Sequence, residues 1–118
     1  MSPISTDNAE HYAWGAGCDG WHFAKSENLS VIRERVPGNG AEERHLHEFA
    51  EQFFYVLSGV ASMEIAGEVI RLEAQQGIHV PSGVAHQLKN PAETDLEFIV
   101  ISTPPSHGDR VLMPDVRR

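Results

Sequence analysis

From Leu29 onward no stretch of this chain holds a 3.6-residue apolar period long enough for a major helix, so a helical core is excluded. Short segments cut by turn residues take its place. LSVIRERV ends at Pro37-Gly38-Asn39-Gly40, GIHV at Pro81-Ser82-Gly83, AHQLKN at Pro91 and LEFIVIS at Pro104-Pro105, with HLHEF, QFFYVLSG, VASMEIAGE and VIRLEA between them. Turns at this spacing predict an all-β sandwich or barrel. Ala66-Gly67-Glu68 reads as a hairpin tip, where glycine supplies the positive φ of a tight connection. In QFFYVLS both alternating sets are apolar, which predicts cover on both faces, either by a second sheet or by a second copy in a homodimer.

At 118 residues the chain is one domain's worth of core. We divide it into an irregular N-terminal segment (1–28), a barrel (29–103) and a tail (104–118). The stretch from His11 to Phe23 is glycine-rich and aromatic without a period of either kind, and is expected to be irregular. Its Trp14 and Trp21 either cap a core or close the mouth of a pocket. In the tail, prolines stop the last strand, and Asp109-Arg110 is placed to fix a turn.

A formal charge of −8 argues against a polyanionic partner, because nucleic-acid binding needs a basic patch that displaces counterions from phosphates. The same holds for anionic membrane surfaces. No apolar run approaches the roughly 20 residues that span a bilayer. With Cys18 the single cysteine, and MSPISTDNAEHY lacking the basic start and apolar run of a secretory signal, a soluble cytoplasmic protein is expected.

His45 and His47 sit two apart in a predicted strand, so both imidazoles point to one face and can reach one ion. Together with Gln52 and His86 they can surround a single divalent metal. A lone histidine of this kind would more simply be a hydrogen-bonded residue at a strand edge; four candidate ligands change the balance. Phe54, on the face shared with Val56, and His79, seven residues before His86, are the expected pocket-lining residues, with His79 as a proton donor. Arg33 and Arg35 alternate on one face of a strand opposite Ile32, Glu34 and Val36, and are read as a solvated face.

These motifs resemble those of the cupin superfamily, G(X)5HXH(X)3,4E(X)6G and G(X)5PXG(X)2H(X)3N. His45-Leu46-His47 matches HXH, and Gly59 follows position 52 after six residues. Pro81-Ser82-Gly83-Val84-Ala85-His86 matches PXGXXH, and Asn90 follows after three more. The resemblance covers about Leu29 to Ser102 and implies a double-stranded β-helix barrel with a metal inside one end. Three positions depart from it. Asn39 and Gln75 stand where the motifs open with glycine, and Gln52 stands where the glutamate ligand is usual, with Glu51 beside it as the alternative. Gln52 keeps the spacing to Gly59 and is similar to the three-histidine, one-glutamine set of some cupins, so it is preferred.

Such a set takes Mn, Fe, Zn, Ni or Cu without choosing among them. Glutamine adds no charge, so the site stays +2 rather than +1, which sharpens Lewis acidity and favours anionic guests. The resemblance implies a small-molecule substrate or ligand and three kinds of function. The first is a metal-dependent enzyme acting on a small oxygenated metabolite, sugar-like or keto/enol, by isomerase or ring-opening chemistry. The second is an oxygen-dependent cupin dioxygenase, and the third a non-catalytic small-ligand binder.

Overall fold

A computed structural model describes residues 1–106 and 108–116. Among them are eleven strands: β1 (Glu10–Trp14), β2 (Cys18–Lys25), β3 (Ser30–Val36), β4 (His45–His47), β5 (Glu51–Ser58), β6 (Ala61–Ile65), β7 (Glu68–Leu72), β8 (Gly77–Val80), β9 (His86–Lys89), β10 (Leu96–Thr103) and β11 (Arg110–Leu112). They form two antiparallel sheets, a six-stranded one ordered β1-β2-β3-β10-β5-β8 and a five-stranded one ordered β11-β4-β9-β6-β7. No helix of the described chain is long and apolar enough to cross a membrane.

Alternation decides which face of each strand turns inward. On β5 Gln52, Phe54 and Val56 are buried, and on β10 Leu96, Phe98, Val100 and Ser102 are, so these two adjacent strands of the larger sheet present one largely apolar face. Met63 and Leu88 meet that face from the smaller sheet. Burying one side chain such as Phe98 stabilises the fold by about 1.5–3 kcal/mol. The outward set of β5 is covered less than its composition suggested, with Phe53 40% and Tyr55 37% exposed in the single chain.

The turns follow from their residues. Ile65 pairs with Glu68 around a two-residue loop, and Ala66 and Gly67 both have positive φ, 49° and 91°, as a type I′ hairpin requires. Gly59 has φ 84°, and a Cβ there would lie 2.5 Å from the Asp95 carbonyl oxygen, so both backbone and space demand glycine. Asn39 and Gln75, which replace the motif glycines, keep left-handed backbones at φ 63° and 67°. The turn geometry survives without the residue that usually makes it easy.

Two expectations are corrected. The stretch from His11 to Phe23 is not irregular: β1 and β2 form an antiparallel hairpin, from Glu10 opposite His22 to Trp14 opposite Cys18, that extends the six-stranded sheet beyond β3. Trp14 packs on the core and donates its indole N–H to the Asp19 carbonyl at 3.1 Å. Trp21 stands against His11, ring centroids 5.3 Å apart. The tail also adds a strand, with β11 pairing with β4 so that Arg110 faces His47 and Leu112 faces His45. Of the two arginines on β3, Arg33 bonds Glu97, and Arg35 bonds Asp19 and Asp95, on the outer face.

Candidate metal centre

The three histidines come from neighbouring strands of the smaller sheet. His45 and His86 are direct cross-strand partners on β4 and β9, and His47 lies two residues along β4 on the same face. Their ring centroids are 4.5 Å apart for His45 and His86 and 4.8 Å for His45 and His47. One nitrogen from each falls within 4.8 Å of the others, and all three residues are buried. The Pro81-Ser82-Gly83 turn is tied to the same place, since Gly83 N–H donates to the His47 carbonyl at 2.7 Å.

Hydrogen bonds fix which nitrogen is free. His45 Nδ1 lies 2.7 Å from the Glu43 carbonyl and His86 Nδ1 3.0 Å from the Val84 carbonyl. A carbonyl only accepts, so each Nδ1 carries the proton and each Nε2 keeps a bare lone pair. His47 Nδ1 donates to Asp109 Oδ1 at 2.8 Å, with the same result. Burial pushes the His45 imidazole down to about 3 and lowers that of His86, so both are neutral and able to coordinate at physiological pH.

Gln52, on β5 of the opposite sheet, lines the same cavity as His45 and His47. It is buried, and its Nε2 donates to Ser102 Oγ at 3.0 Å, which turns Oε1 away from that bond. Gln52 Oε1 and His86 Nε2 are buried with no hydrogen-bond partner among the described residues. Orphaned buried acceptors are expensive, and a cation is what such acceptors would satisfy. The donor set therefore fits a divalent transition metal ion. Glu51, the alternative ligand, points the other way and meets His79 Nε2 at 2.8 Å on the exposed face.

That contact corrects the expectation for His79. On β8 the residues opposite Gln52 and Phe54 are Val80 and Ile78, so His79 opposes Phe53 and faces outward, away from the cavity. Phe54 is 3% exposed and lines the cavity, with its ring 5.9 Å from that of His86.

Five residues at the site were not read as site residues from the sequence. A cavity of about 200 Å³ is lined by His45, His47, Gln52 and Phe54, and also by Tyr12, Glu34, Glu42 and Arg110. Glu34 had been placed opposite the arginine face with Ile32 and Val36, and a carboxylate in that apolar company was the available signal. Glu42 Oε1 accepts from Leu88 N–H at 2.8 Å. Burial pushes its carboxyl up to about 8; the Leu88 bond opposes this and the neighbouring Glu34 charge adds to it. A carboxyl raised in the folded state from an ordinary 4.5 stabilises the fold fully below about pH 4.5 and loses that contribution as the pH climbs through about 8. Glu42→Gln keeps an acceptor for Leu88. We expect it to retain about 1–3 kcal/mol more stability than wild type between pH 5.5 and 8.5, measured by urea unfolding. Parallel pH curves for the two proteins would show that Glu42 is not held in this way.

Asp109 is the fifth, and no spacing in the sequence links it to His47, 62 residues earlier. Its Oδ2 accepts from Phe49 N–H at 3.1 Å and Ala50 N–H at 2.9 Å while Oδ1 holds His47. Burial works to raise this carboxyl, but the Ala50 and His47 bonds outweigh it and hold it below the usual range. A carboxylate behind a ligating imidazole orients the ring and raises its basicity. Asp109→Asn should weaken metal affinity about 10- to 100-fold with the fold intact, read by competition with a chelating dye. Unchanged affinity would reduce Asp109 to an anchor for the tail.

A cupin domain profile matches residues 32–102, more than half of the chain. The chain belongs to the cupin family. It is 29% identical over 76 residues to the polyketide synthase CurC of Streptomyces cyaneus, covering 64% of this chain and 47% of that protein. It is 36% identical over 76 residues to the mannose-1-phosphate guanylyltransferase of Salmonella montevideo, covering 64% of this chain and 16% of that protein. The chain thus spans less than half the length of these relatives. Among solved structures, KdgF from Halomonas sp. superposes with TM-score 0.82 at 20% identity, covering 91% of this chain and 96% of that one. This last likeness is one of fold and supports the double-stranded β-helix.

Proposed function

We propose that the chain binds one divalent transition metal ion through His45, His47, His86 and Gln52, and acts as an enzyme on a small oxygenated metabolite, sugar-like or keto/enol, by isomerase or ring-opening chemistry. The observation that carries this reading is convergence. Three buried imidazoles with bare Nε2 atoms cluster together, and two of them, His45 and His47, line a cavity with Gln52, whose carboxamide oxygen is orphaned, and with the half-buried carboxyl groups of Glu34 and Glu42. A bound divalent ion would supply Lewis-acid polarisation of a carbonyl or enol oxygen.

The remaining work falls to the chain's own residues. Gln52 brings no charge, so an anionic guest is not repelled by the ligand set. Arg110, whose charge is felt at both Glu34 and Glu42, adds a cation at the same cavity. Phe54 and Trp14 line it with apolar surface that limits water around the guest. The similarity to a polyketide synthase and to a mannose-1-phosphate guanylyltransferase supports an oxygenated guest. Oxygen-dependent cleavage would use the same four ligands but gives the two carboxylates no part, and the isomerase reading is preferred for that reason. The partly exposed Phe53 and Tyr55 support a homodimer through the outer face of the larger sheet, and the lone buried Cys18 supports a cytoplasmic setting.

The test is turnover of a panel of hydroxyketones, uronates and keto acids by metal-loaded protein, followed by NMR and an oxygen electrode. A product of unchanged mass with no oxygen consumed is expected. Oxygen uptake would establish the dioxygenase, and thermal stabilisation without turnover would establish a binding protein.

A further inference from the structure

The inward face of β3 carries one charged residue. Ser30, Ile32 and Val36 are buried on that face and Glu34 stands between the last two, while Arg33 and Arg35 form their ion pairs on the other side. Tyr12 holds the Glu34 carboxylate, its hydroxyl donating to Oε2 at 2.9 Å. The strand register shows how this contact is built. Tyr12 on β1 lies opposite Gly20 on β2, and Gly20 lies opposite Glu34 on β3. A Cβ at position 20 would sit 2.1 Å from Tyr12 Cζ, so the tyrosine ring crosses the strand through the space that glycine leaves and reaches the carboxylate two strands away. Tyr12 and Glu34 line the cavity that His45, His47 and Gln52 also line.

Resting on the reading above, we propose that Glu34, oriented by Tyr12, is the catalytic residue that carries the proton in this cavity for a hydroxy-carbonyl guest. Glu34 takes the proton from the carbon that bears the hydroxyl. The C–H electron pair forms the new C=C bond, and the carbonyl π pair moves to oxygen, giving an enediolate. Glu34 then returns the proton to the former carbonyl carbon, while the hydroxyl proton passes to the other oxygen. The isomer forms with no oxidant or reductant consumed.

The surroundings suit a group that must both take and give a proton near neutrality. Burial pushes Glu34 up to about 7 against the opposing Tyr12 hydrogen bond and the Arg110 charge. The titratable groups whose charge or hydrogen bond couples to it are Tyr12 from β1, Cys18 from β2, Glu42 ahead of β4 and Arg110 from β11, His45 from β4 lines the same cavity, and β10 presents uncharged Phe98. Burial raises both Tyr12 and Cys18, so these stay protonated and neutral while Glu34 titrates.

Calorimetric titration with oxalate tests this without knowledge of the substrate, because oxalate presents two adjacent anionic oxygens as an enediolate does. Metal-loaded wild type is expected to take up a proton on binding, and its affinity should fall about tenfold per pH unit above about pH 7.5. Glu34→Gln, which keeps an acceptor for Tyr12, should hold the same metal, take up almost no proton and show a nearly flat pH profile. Tyr12→Phe should move the bend to higher pH, since it removes a bond that favours the charged carboxylate. A profile unchanged in Glu34→Gln, or flattened in Glu42→Gln instead, overturns the proposal. Wild type that takes up no metal, or that binds metal but no oxalate, overturns the reading beneath it as well, and metal content measured for each variant separates the two failures.

Discussion

His47→Ala is expected to reduce bound metal from near one ion per chain to below about a tenth, measured by elemental analysis after purification without added metal. One imidazole of three is lost, and the remaining His45, His86 and Gln52 leave a cation with too few donors to hold it against dilution. The loss has a second part. Asp109 would keep its bonds from Phe49 and Ala50 but lose the His47 N–H, leaving a buried carboxylate less well satisfied. Metal that binds only the folded chain stabilises it, by about 2.7 kcal/mol when free metal is a hundredfold above Kd. Wild type should therefore lose thermal stability on chelation, whereas His47→Ala should be indifferent to chelator. Equal metal content in the two proteins would exclude His47 from the ligand set.

Asn90→Ala is expected to destabilise the fold by about 3–4 kcal/mol, lowering Tm by roughly 10–20 °C in a thermal melt. Asn90 is 2% exposed. Its Nδ2 donates to the carbonyls of Val36, Pro37 and Thr94 at 3.1, 3.1 and 2.8 Å, and its Oδ1 accepts from Ala92 N–H at 3.0 Å. This one side chain joins the turn after β3 to the loop before β10. Alanine takes a partner from the buried Val36 carbonyl and from the partly buried Pro37 and Thr94 carbonyls and Ala92 N–H, and leaves a small cavity, and each contributes to the loss. A variant that melts within about 2 °C of wild type would contradict this role. The asparagine at the end of the second cupin motif is thus explained by backbone satisfaction.

Much of this was legible in the sequence because strand period and turn chemistry are local. His45 and His47 had to share a face, and Gln52 and Glu51 had to take opposite ones, as they do. Ala66-Gly67 carried its own turn signal. What escaped depends on distant partners. Gly20 reads as a breaker, yet it sits inside β2 because the Tyr12 ring covers it, so the N-terminal hairpin was hidden by the feature that builds it. Asp109 reaches His47 only when the tail returns as β11, and no spacing announces that. His79 was misplaced because parity could not be carried across the Pro81-Ser82-Gly83 turn. Counted within β8 itself, Val80 opposite Gln52 puts His79 outside. Glu34 was visible as a carboxylate among apolar neighbours, but its meaning came from Tyr12, two strands away.

The most direct test of the account is an anomalous difference map from crystals of the purified protein, collected at the absorption edge of whatever metal elemental analysis finds. One peak is expected, about 2.0–2.3 Å from Nε2 of His45, His47 and His86 and from Oε1 of Gln52. A map with no peak among these four side chains, or with its peak elsewhere, would contradict the account and leave the cupin fold without its proposed centre.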